Sequence, residues 1–156
     1  MEPFGGPHLD GGHRVLVGFD RHPASHRALQ VAIDLAATIH AQLFVLHVID
    51  LQDYPIDPDS ADWDGSAEET IAQERREAEA MLADSTLEWV FDTARDEPAH
   101  ALAQAAHDLD VLFIIVGASR RGLGARLLHG SVPEALVRKQ RKPVLVVPAA
   151  APNPVE

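Results

Sequence analysis

Short runs of β-branched and other apolar residues alternate with longer alanine-rich segments along most of the chain. Residues 14–20 (RVLVGFD) predict a strand, and residues 23–40 predict a helix because apolar positions recur there at helical spacing. The apolar face of this helix consists of Ala28, Ala32, Leu35, Ala36 and Ile39. Pro23 suits the first helical turn. The chain therefore begins with a strand and an amphipathic helix.

The same alternation continues to residue 148. Further strands are predicted at 41–50, 86–94, 110–117 and 142–148, and further helices at 67–85, 97–109 and 131–140. A polar, aspartate-rich loop is predicted at 51–66. The inner side of the charged helix that follows this loop is formed by Ile71, Ala78, Met81 and Leu82.

The order of these elements predicts an α/β fold. Strictly alternating strands and helices form a mainly parallel sheet, here of five strands, with helices on both faces in three layers, α/β/α. The nearly continuous apolar runs VLFIIV and VLVV indicate strands that are buried on both faces. The alternation of Leu87, Trp89 and Phe91 with more polar residues is typical of an edge strand.

The length of 156 residues suits one domain, which we place at residues 13–149. Residues 1–12 and 150–156 are rich in glycine, proline or alanine and are predicted to be flexible tails. Residues 1–12 do not resemble a signal peptide, and no run approaches about 18 apolar residues. We therefore expect a cytoplasmic protein without a membrane partner.

Charge and cysteine content exclude several function classes. The net charge of −11 argues against nucleic-acid binding, which usually needs a basic surface. A small anionic ligand is not excluded, because a local site can oppose the overall charge. The chain has no cysteine, which rules out disulfides, thiolate metal sites and cysteine nucleophiles.

A ligand site is expected where the first, second and fourth strands end. In doubly wound sheets, ligands bind at the carboxyl ends of the strands, near the point where the strand order reverses. The sequences VGFD, LHVID and VGASRR follow or end these three strands. We expect these segments to lie close together.

The glycine-rich stretch VGASRRGLGARLLHGS, residues 116–131, is a candidate phosphate loop. It matches neither the Walker pattern nor the dinucleotide fingerprint. Gly117 directly follows a strand and permits close backbone approach, and Gly130 and Ser131 open a helix whose free N–H groups suit an anion. In an alternative interpretation, Gly117 only makes a turn and Ser131 only caps its helix.

The spacing Gly117-x2-Arg120-x9-Gly130-Ser131 resembles the Gly-x2-Gly-x9-Gly-Ser/Thr nucleotide loop of the universal stress proteins. The resemblance covers about residues 13–148. It implies a flavodoxin-like or Rossmann-like sheet of the adenine nucleotide alpha hydrolase type. It also implies a homodimer through the last strand, residues 143–148, and ATP bound across the ends of the first and fourth strands.

The resemblance assigns residues to the adenine side of the site. Asp20 matches the acidic residue near the base, and Gly18 matches the position two residues earlier, where the backbone lines the base pocket. Phe19 lies between them and is included in the predicted site. Val48 matches the apolar residue that packs on the base. Asp20 has an alternative role as a cap or dipole partner of the first helix.

The resemblance also assigns residues to the phosphate side. Val116 and Gly117 match the start of the phosphate turn, and Ser119 occupies a loop position that would face ribose or phosphate. Gly130-Ser131 matches the start of the phosphate-binding helix, and Val132 is the residue beside it.

Arg120 departs from the family pattern, because it stands where the second glycine is expected. Its bulk either blocks the close approach of a triphosphate, or its guanidinium replaces backbone contacts with a charge-assisted one. Arg121 and Arg126 add to a local positive patch. Both outcomes stay open at this point.

Other candidate residues give weaker signals. His22 and His26 are spaced as metal ligands can be, but no third ligand is in register, and surface histidines are the simpler interpretation. The aspartates at positions 57, 59, 62 and 64 lack the glycine and closing glutamate of a calcium loop. His47 is expected to be a core histidine with a satisfied hydrogen bond.

These observations predict an adenine-nucleotide-binding protein, for ATP, ADP or AMP, that acts in stress response or signalling. Mg²⁺ or Mn²⁺ would be carried by the phosphates and not by a protein cage. No catalytic pattern is visible, so little or no catalysis is expected. The alternative is a dimeric interaction module that has lost ATP binding because of Arg120.

Overall fold

The computed structural model describes Phe4 and residues 12–20, 22–49, 63–118 and 132–149. In these residues, strands and helices alternate in the order and number that the sequence predicts. Their bounds are β1 Arg14–Phe19, α1 Pro23–Ile39, β2 Gln42–Val48, α2 Trp63–Ala83, β3 Trp89–Ala94, α3 Pro98–Leu109, β4 Phe113–Gly117, α4 Val132–Lys139 and β5 Val144–Val147.

The clearest difference in bounds is at the start of α2. The sequence predicted a loop up to residue 66, whereas α2 begins at Trp63. The two prolines and many aspartates of residues 51–66 suggested a loop, yet carboxylates near a helix N-terminus are favoured by the helix dipole.

The five strands form one parallel sheet in the order β3-β2-β1-β4-β5. The chain runs outward from β1 through β2 to β3, and then returns to the other side of β1 for β4 and β5. The strand order therefore reverses between β1 and β4. The predicted parallel sheet and the edge position of β3 are both confirmed.

Helices cover both faces of the sheet, which confirms the three-layer α/β/α architecture. Strand residues of one parity, such as Val15 and Val17, pack with α1 and with Ala78 and Leu82 of α2. Residues of the other parity, such as Leu16, pack with α3 and α4. Side chains alternate between the two faces because the side-chain period of a strand is two residues.

Phe4 departs from the predicted flexible tail at residues 1–12. Its side chain is only 6% exposed and belongs to the core cluster on the α3 and α4 face. Its ring lies 5.2 Å from that of Phe44 on β2, at 89° between the ring planes. Its backbone N–H donates to Asp92 Oδ2 on β3 over 2.7 Å. Phe4 thus covers part of β2 beside the β3 edge.

The prediction that VLVV is buried on both faces is wrong. The side chains of Leu145 and Val146 in β5 are 40% and 42% exposed. The reason is the position of β5 at the edge of the sheet, where it pairs only with β4. An apolar run alone does not distinguish a central strand from an apolar edge strand.

None of the helices in the described residues is long and apolar enough to cross a lipid bilayer.

Candidate functional site

The carboxyl ends of β1, β2 and β4 meet at one edge of the sheet, as the sequence predicts. β1 lies between the other two strands. Phe19 is in register with His47 on β2, and Val17 with Ile115 on β4. This pairing brings the predicted residues at 18–20, 48 and 116–117 to neighbouring positions.

Three of the predicted apolar residues share one face of the sheet. Val48 and Val116 are buried in the cluster that packs under α3 and α4, and Val132 at the start of α4 is partly buried against it. Gly18 opens toward the same face, since a Cβ there would lie 3.0 Å from Leu102 Cδ1 and 3.5 Å from Val116 Cγ1. The structure therefore joins three strand ends and the start of α4 in one apolar surface.

Phe19 faces the opposite side. Its side chain is fully buried among the residues under α1 and α2. Its ring lies 5.1 Å from that of His26 and 5.8 Å from that of His47. Only the backbone of Phe19 is therefore placed to contact a ligand at the sheet edge.

Gly117 is required by the packing of helix α1 against the end of β4. A Cβ at this position would lie 2.7 Å from the carbonyl carbon of Ala24 and 2.9 Å from the nitrogen of Ser25. The φ angle of Gly117 is outside the left-handed region, so space and not backbone conformation excludes a side chain. The backbone that approaches Gly117 closely is that of the first turn of α1, and the approach of a phosphate to this glycine stays a prediction.

A set of short hydrogen bonds fixes the turn between β1 and α1. The backbone N–H of Asp20 donates to Ser25 Oγ over 2.7 Å, and Asp20 Oδ1 accepts from the backbone N–H of His22 over 2.8 Å. The N–H of Ser25 donates to the His22 carbonyl over 3.0 Å. Asp20 thus acts at the start of α1, in agreement with the alternative interpretation, while a carboxylate retains further acceptor capacity for a ligand.

The environment of Asp20 makes its charged form less favourable than in a solvent-exposed aspartate. Burial raises the pKa of this carboxyl above its ordinary value, and the nearby charge of Glu74 raises it further. The hydrogen bond from the His22 N–H and the charge of His22 act in the opposite direction, but burial dominates. The acidic group at this edge is therefore only partly solvated and is sensitive to charge brought near it.

A buried hydrogen-bond partner of His47 was missed in the sequence. His47 Nε2 lies 2.9 Å from Glu74 Oε2, with side chains 0% and 9% exposed. The expected burial of His47 is confirmed, but its hydrogen bonding is only half as expected, because Nδ1 has no partner in the described part of the chain. The spacing of Ile71, Glu74 and Ala78 places Glu74 on the inner side of α2, and this was the available signal.

The other predicted candidates that fall among the described residues do not form a second site. His22 is the residue before α1, and His26 Nε2 lies 2.9 Å from Glu77 Oε2. Within the described ranges, no three His, Cys, Asp or Glu side chains are grouped as metal ligands. Of the aspartates considered as a calcium loop, Asp64 lies within α2, and residues 57, 59 and 62 lie outside the described residues.

The phosphate side of the predicted site lies largely outside the described residues. Ser119, Arg120, Gly130 and Ser131 belong to the range 119–131, which the described ranges do not include. The roles assigned to these four residues stay predictions.

Comparison with known proteins decides the family. The family model described as the universal stress protein family matches residues 12–148. The chain belongs to the universal stress protein family. One similar protein is the stress response protein NhaX of Bacillus subtilis, which is 29% identical to this chain over 86% of this chain and 96% of its own length.

Solved structures of universal stress proteins share the fold. A universal stress protein in complex with cAMP superposes with a TM-score of 0.64, at 22% identity, over 90% of this chain and all of that one. The universal stress protein from Archaeoglobus fulgidus in complex with dAMP gives a TM-score of 0.58 at 18% identity, over 89% of this chain and 99% of its own. At these identities the comparison shows the Rossmann-like α/β fold.

Proposed function

We propose that this chain binds an adenine nucleotide at the carboxyl edge of β1 and β4. The observation that carries the proposal is the convergence, at the point where the strand order reverses, of the family-motif residues that the structure describes. Ligands of open α/β sheets bind at such a point. The two neighbouring structures that hold cAMP and dAMP support an adenine nucleotide as the ligand.

The described residues fit the base and ribose half of a nucleotide. Gly18 has no side chain, and the buried Val48 and Val116 and the partly buried Val132 form apolar packing beside it. Asp20 supplies a carboxylate acceptor for an amino group such as that of adenine. Binding at this edge combines an apolar contact surface with a few polar groups, which is typical of small-ligand sites.

The residues proposed to bind the phosphates are assigned from the sequence, because most of them lie outside the described residues. The phosphates would lie between Gly117–Arg121 and Gly130–Ser131, with Mg²⁺ or Mn²⁺ carried by the phosphates. We propose that Arg120 takes the place of the missing glycine by a charge-assisted contact. ATP, ADP and AMP are the candidate ligands. We propose that the protein acts in stress response or signalling, with little or no catalysis.

A homodimer through β5 belongs to the same proposal. The outer edge of β5 has no strand partner within the described sheet, and Leu145 and Val146 are exposed on it. An exposed apolar edge strand favours pairing with a second strand. We also propose a cytoplasmic location, with which the absence of cysteine agrees.

The same β5 edge favours a second candidate function. In this alternative the chain is a dimeric interaction module that binds no ATP, and Arg120 excludes the triphosphate. The two candidates make opposite predictions for Arg120→Gly. The substitution weakens nucleotide binding if Arg120 contacts phosphate, and strengthens or creates it if Arg120 excludes phosphate.

Titration calorimetry with AMP and with ATP tests the proposal. Asp20→Ala is expected to weaken both ligands about tenfold, the effect of losing one hydrogen bond to a charged group. Asp34→Ala is the matched control, because Asp34 is an exposed residue on α1 whose carboxylate accepts a hydrogen bond from Gln30 Nε2. Equal affinities of the wild type and Asp20→Ala would overturn the placement of the base at this edge.

A further inference from the structure

A concave surface lies on the outer side of α3. It is a groove of about 490 Å³ between α3 and the connection from α4 to β5. His100, Gln104 and His107 line one wall at positions i, i+4 and i+7 of α3, and residues 139–142 line the other. None of the residues assigned to the nucleotide site lines it, so the two surfaces are separate.

The groove is cationic on a strongly acidic chain. Four of the thirteen lysines and arginines of the sequence fall within residues 138–142, although the net charge is −11. Lys139, Arg141 and Lys142 line the groove together with two histidines and two glutamines, and no carboxylate belongs to the lining. The local charge is therefore opposite in sign to that of the whole chain.

The acidic residues at the two ends of α3 only partly neutralise this surface. Lys142 Nζ lies 2.6 Å from Asp110 Oδ1, while Lys139 Nζ lies 3.8 Å from Glu97 Oε2. The Glu97 carboxylate already caps α3 by accepting from the N–H groups of Ala99 and His100. Arg141 forms no ion pair with any residue that the structure describes. Its guanidinium carries a fork of donors that is available to a ligand.

Gln140 holds the connection that carries these cations in a fixed shape. Its Nε2 donates to the carbonyls of Leu136 and Lys142 over 3.1 and 2.9 Å, and its Oε1 accepts from the Lys142 N–H. The backbone N–H of Gln140 also donates to the Leu136 carbonyl over 3.2 Å. Because this turn is bonded on both sides, the flanking cations project from an ordered backbone, which lowers the entropic cost of binding.

We propose that this groove is a second anion site, which takes a small organic phosphate. Its volume is in the range of small-molecule sites, about 300–1,000 Å³. The guanidinium of Arg141 matches the geometry of phosphate oxygens, and Lys139 adds a compact charge beside it. His107 contributes an imidazole donor along the opposite wall, as does His100, whose Nε2 lies 3.8 Å from Asp96 Oδ2. The groove therefore combines charge, donors and size for a phosphate with a small attached group.

NMR titration of labelled protein with inorganic pyrophosphate tests this site. Saturable shifts are expected in the ring signals of His100 and His107 and in the amide signal of Arg141. The double variant Lys139→Gln/Arg141→Gln should lower the affinity at least tenfold, since contacts of this kind contribute about tenfold each. Amide signals of Val116 and Gly117 report separately on the nucleotide edge, where pyrophosphate also has a predicted target.

The matched control is Arg27→Gln/Arg76→Gln. It makes the same change of net charge on α1 and α2, which pack on the opposite face of the sheet. Affinity within twofold of the wild type is expected for this control. An equal loss in both double variants would mean general electrostatic attraction. No shift of the two histidines at 10 mM pyrophosphate, about ten-thousandfold above a Kd of about 1 μM, would mean that the groove binds no phosphate. Either result overturns the proposal.

Discussion

Replacement of Gly117 by alanine has a cost that can be worked out from the packing of α1 on β4. The new Cβ would lie 2.7 Å from the Ala24 carbonyl carbon and 2.8 Å from its oxygen, whereas ordinary contacts begin at 3.4 Å. The two backbones must therefore separate by about 0.7 Å. No rotamer change relieves this contact, because the opposing atoms belong to the main chain.

The energetic cost of this separation is expected at the upper end of the range for overpacking, about 3 kcal/mol. The first turn of α1 cannot move alone, since Ser25 is tied to Asp20 by the 2.7 Å bond. For a domain of this size, 3 kcal/mol corresponds to a fall of about 6–12 °C in Tm. Thermal and denaturant unfolding followed by circular dichroism measure both quantities.

Gly18→Ala is the matched control for Gly117→Ala. A Cβ at Gly18 would be crowded by the two methyl groups of Leu102, at 3.0 and 3.2 Å, and a side chain of this kind can shift, while Val116 Cγ1 at 3.5 Å is at an ordinary contact distance. The expected change is within about 1 kcal/mol, because reduced freedom of the unfolded chain offsets the mild crowding. A Gly117→Ala protein as stable as the wild type, or a Gly18→Ala protein equally destabilised, would refute the packing of α1 described above.

Three further substitutions test other parts of the structure. Asp20→Asn should raise stability at neutral pH. The pKa of Asp20 is raised in the folded state, so the native wild type holds more protons than the unfolded chain and loses stability as pH rises through that pKa. Urea unfolding should therefore show that the stability gained by Asn vanishes below about pH 4. His47→Leu should lower the free energy of unfolding by about 3 kcal/mol, because it leaves the buried Glu74 carboxylate without the imidazole. The double variant His47→Leu/Glu74→Leu should recover much of that stability. Equal losses of stability in the two proteins would contradict the pairing of His47 with Glu74. Phe4→Ala should cost about 3 kcal/mol in chemical unfolding because its buried ring packs against Phe44, and an unchanged midpoint would contradict that packing.

The periodicity of the sequence was sufficient to predict the fold, for a physical reason. The strands of a parallel sheet are buried on both faces and become apolar runs, while the covering helices carry one apolar stripe. Ile114, Ile115 and Val116 and the Ala28, Ala32 and Ala36 stripe follow this rule closely, whereas Leu112, just before β4, is 42% exposed. The same rule was wrong for Leu145 and Val146, because composition does not report which strand lies at the edge.

The candidate site was predictable only in part. The placement of Gly18, Val48 and Gly117 at one sheet edge follows from strand order, and the family motif marks these positions. The contact that requires Gly117 could not be predicted, because it depends on how far α1 descends toward β4. His47 and Glu74 lie 27 positions apart in the sequence and in different layers of the fold, so no local sequence pattern could predict that they form a pair.

Equilibrium dialysis of the purified wild-type protein against radiolabelled ATP, ADP and AMP tests the central claim, nucleotide binding at the carboxyl edge of β1 and β4, most directly. We expect saturable binding of at least one of these nucleotides, with one molecule per chain and displacement by the unlabelled form. The absence of bound nucleotide at millimolar concentrations, corresponding to a binding free energy weaker than about −4 kcal/mol, would contradict it.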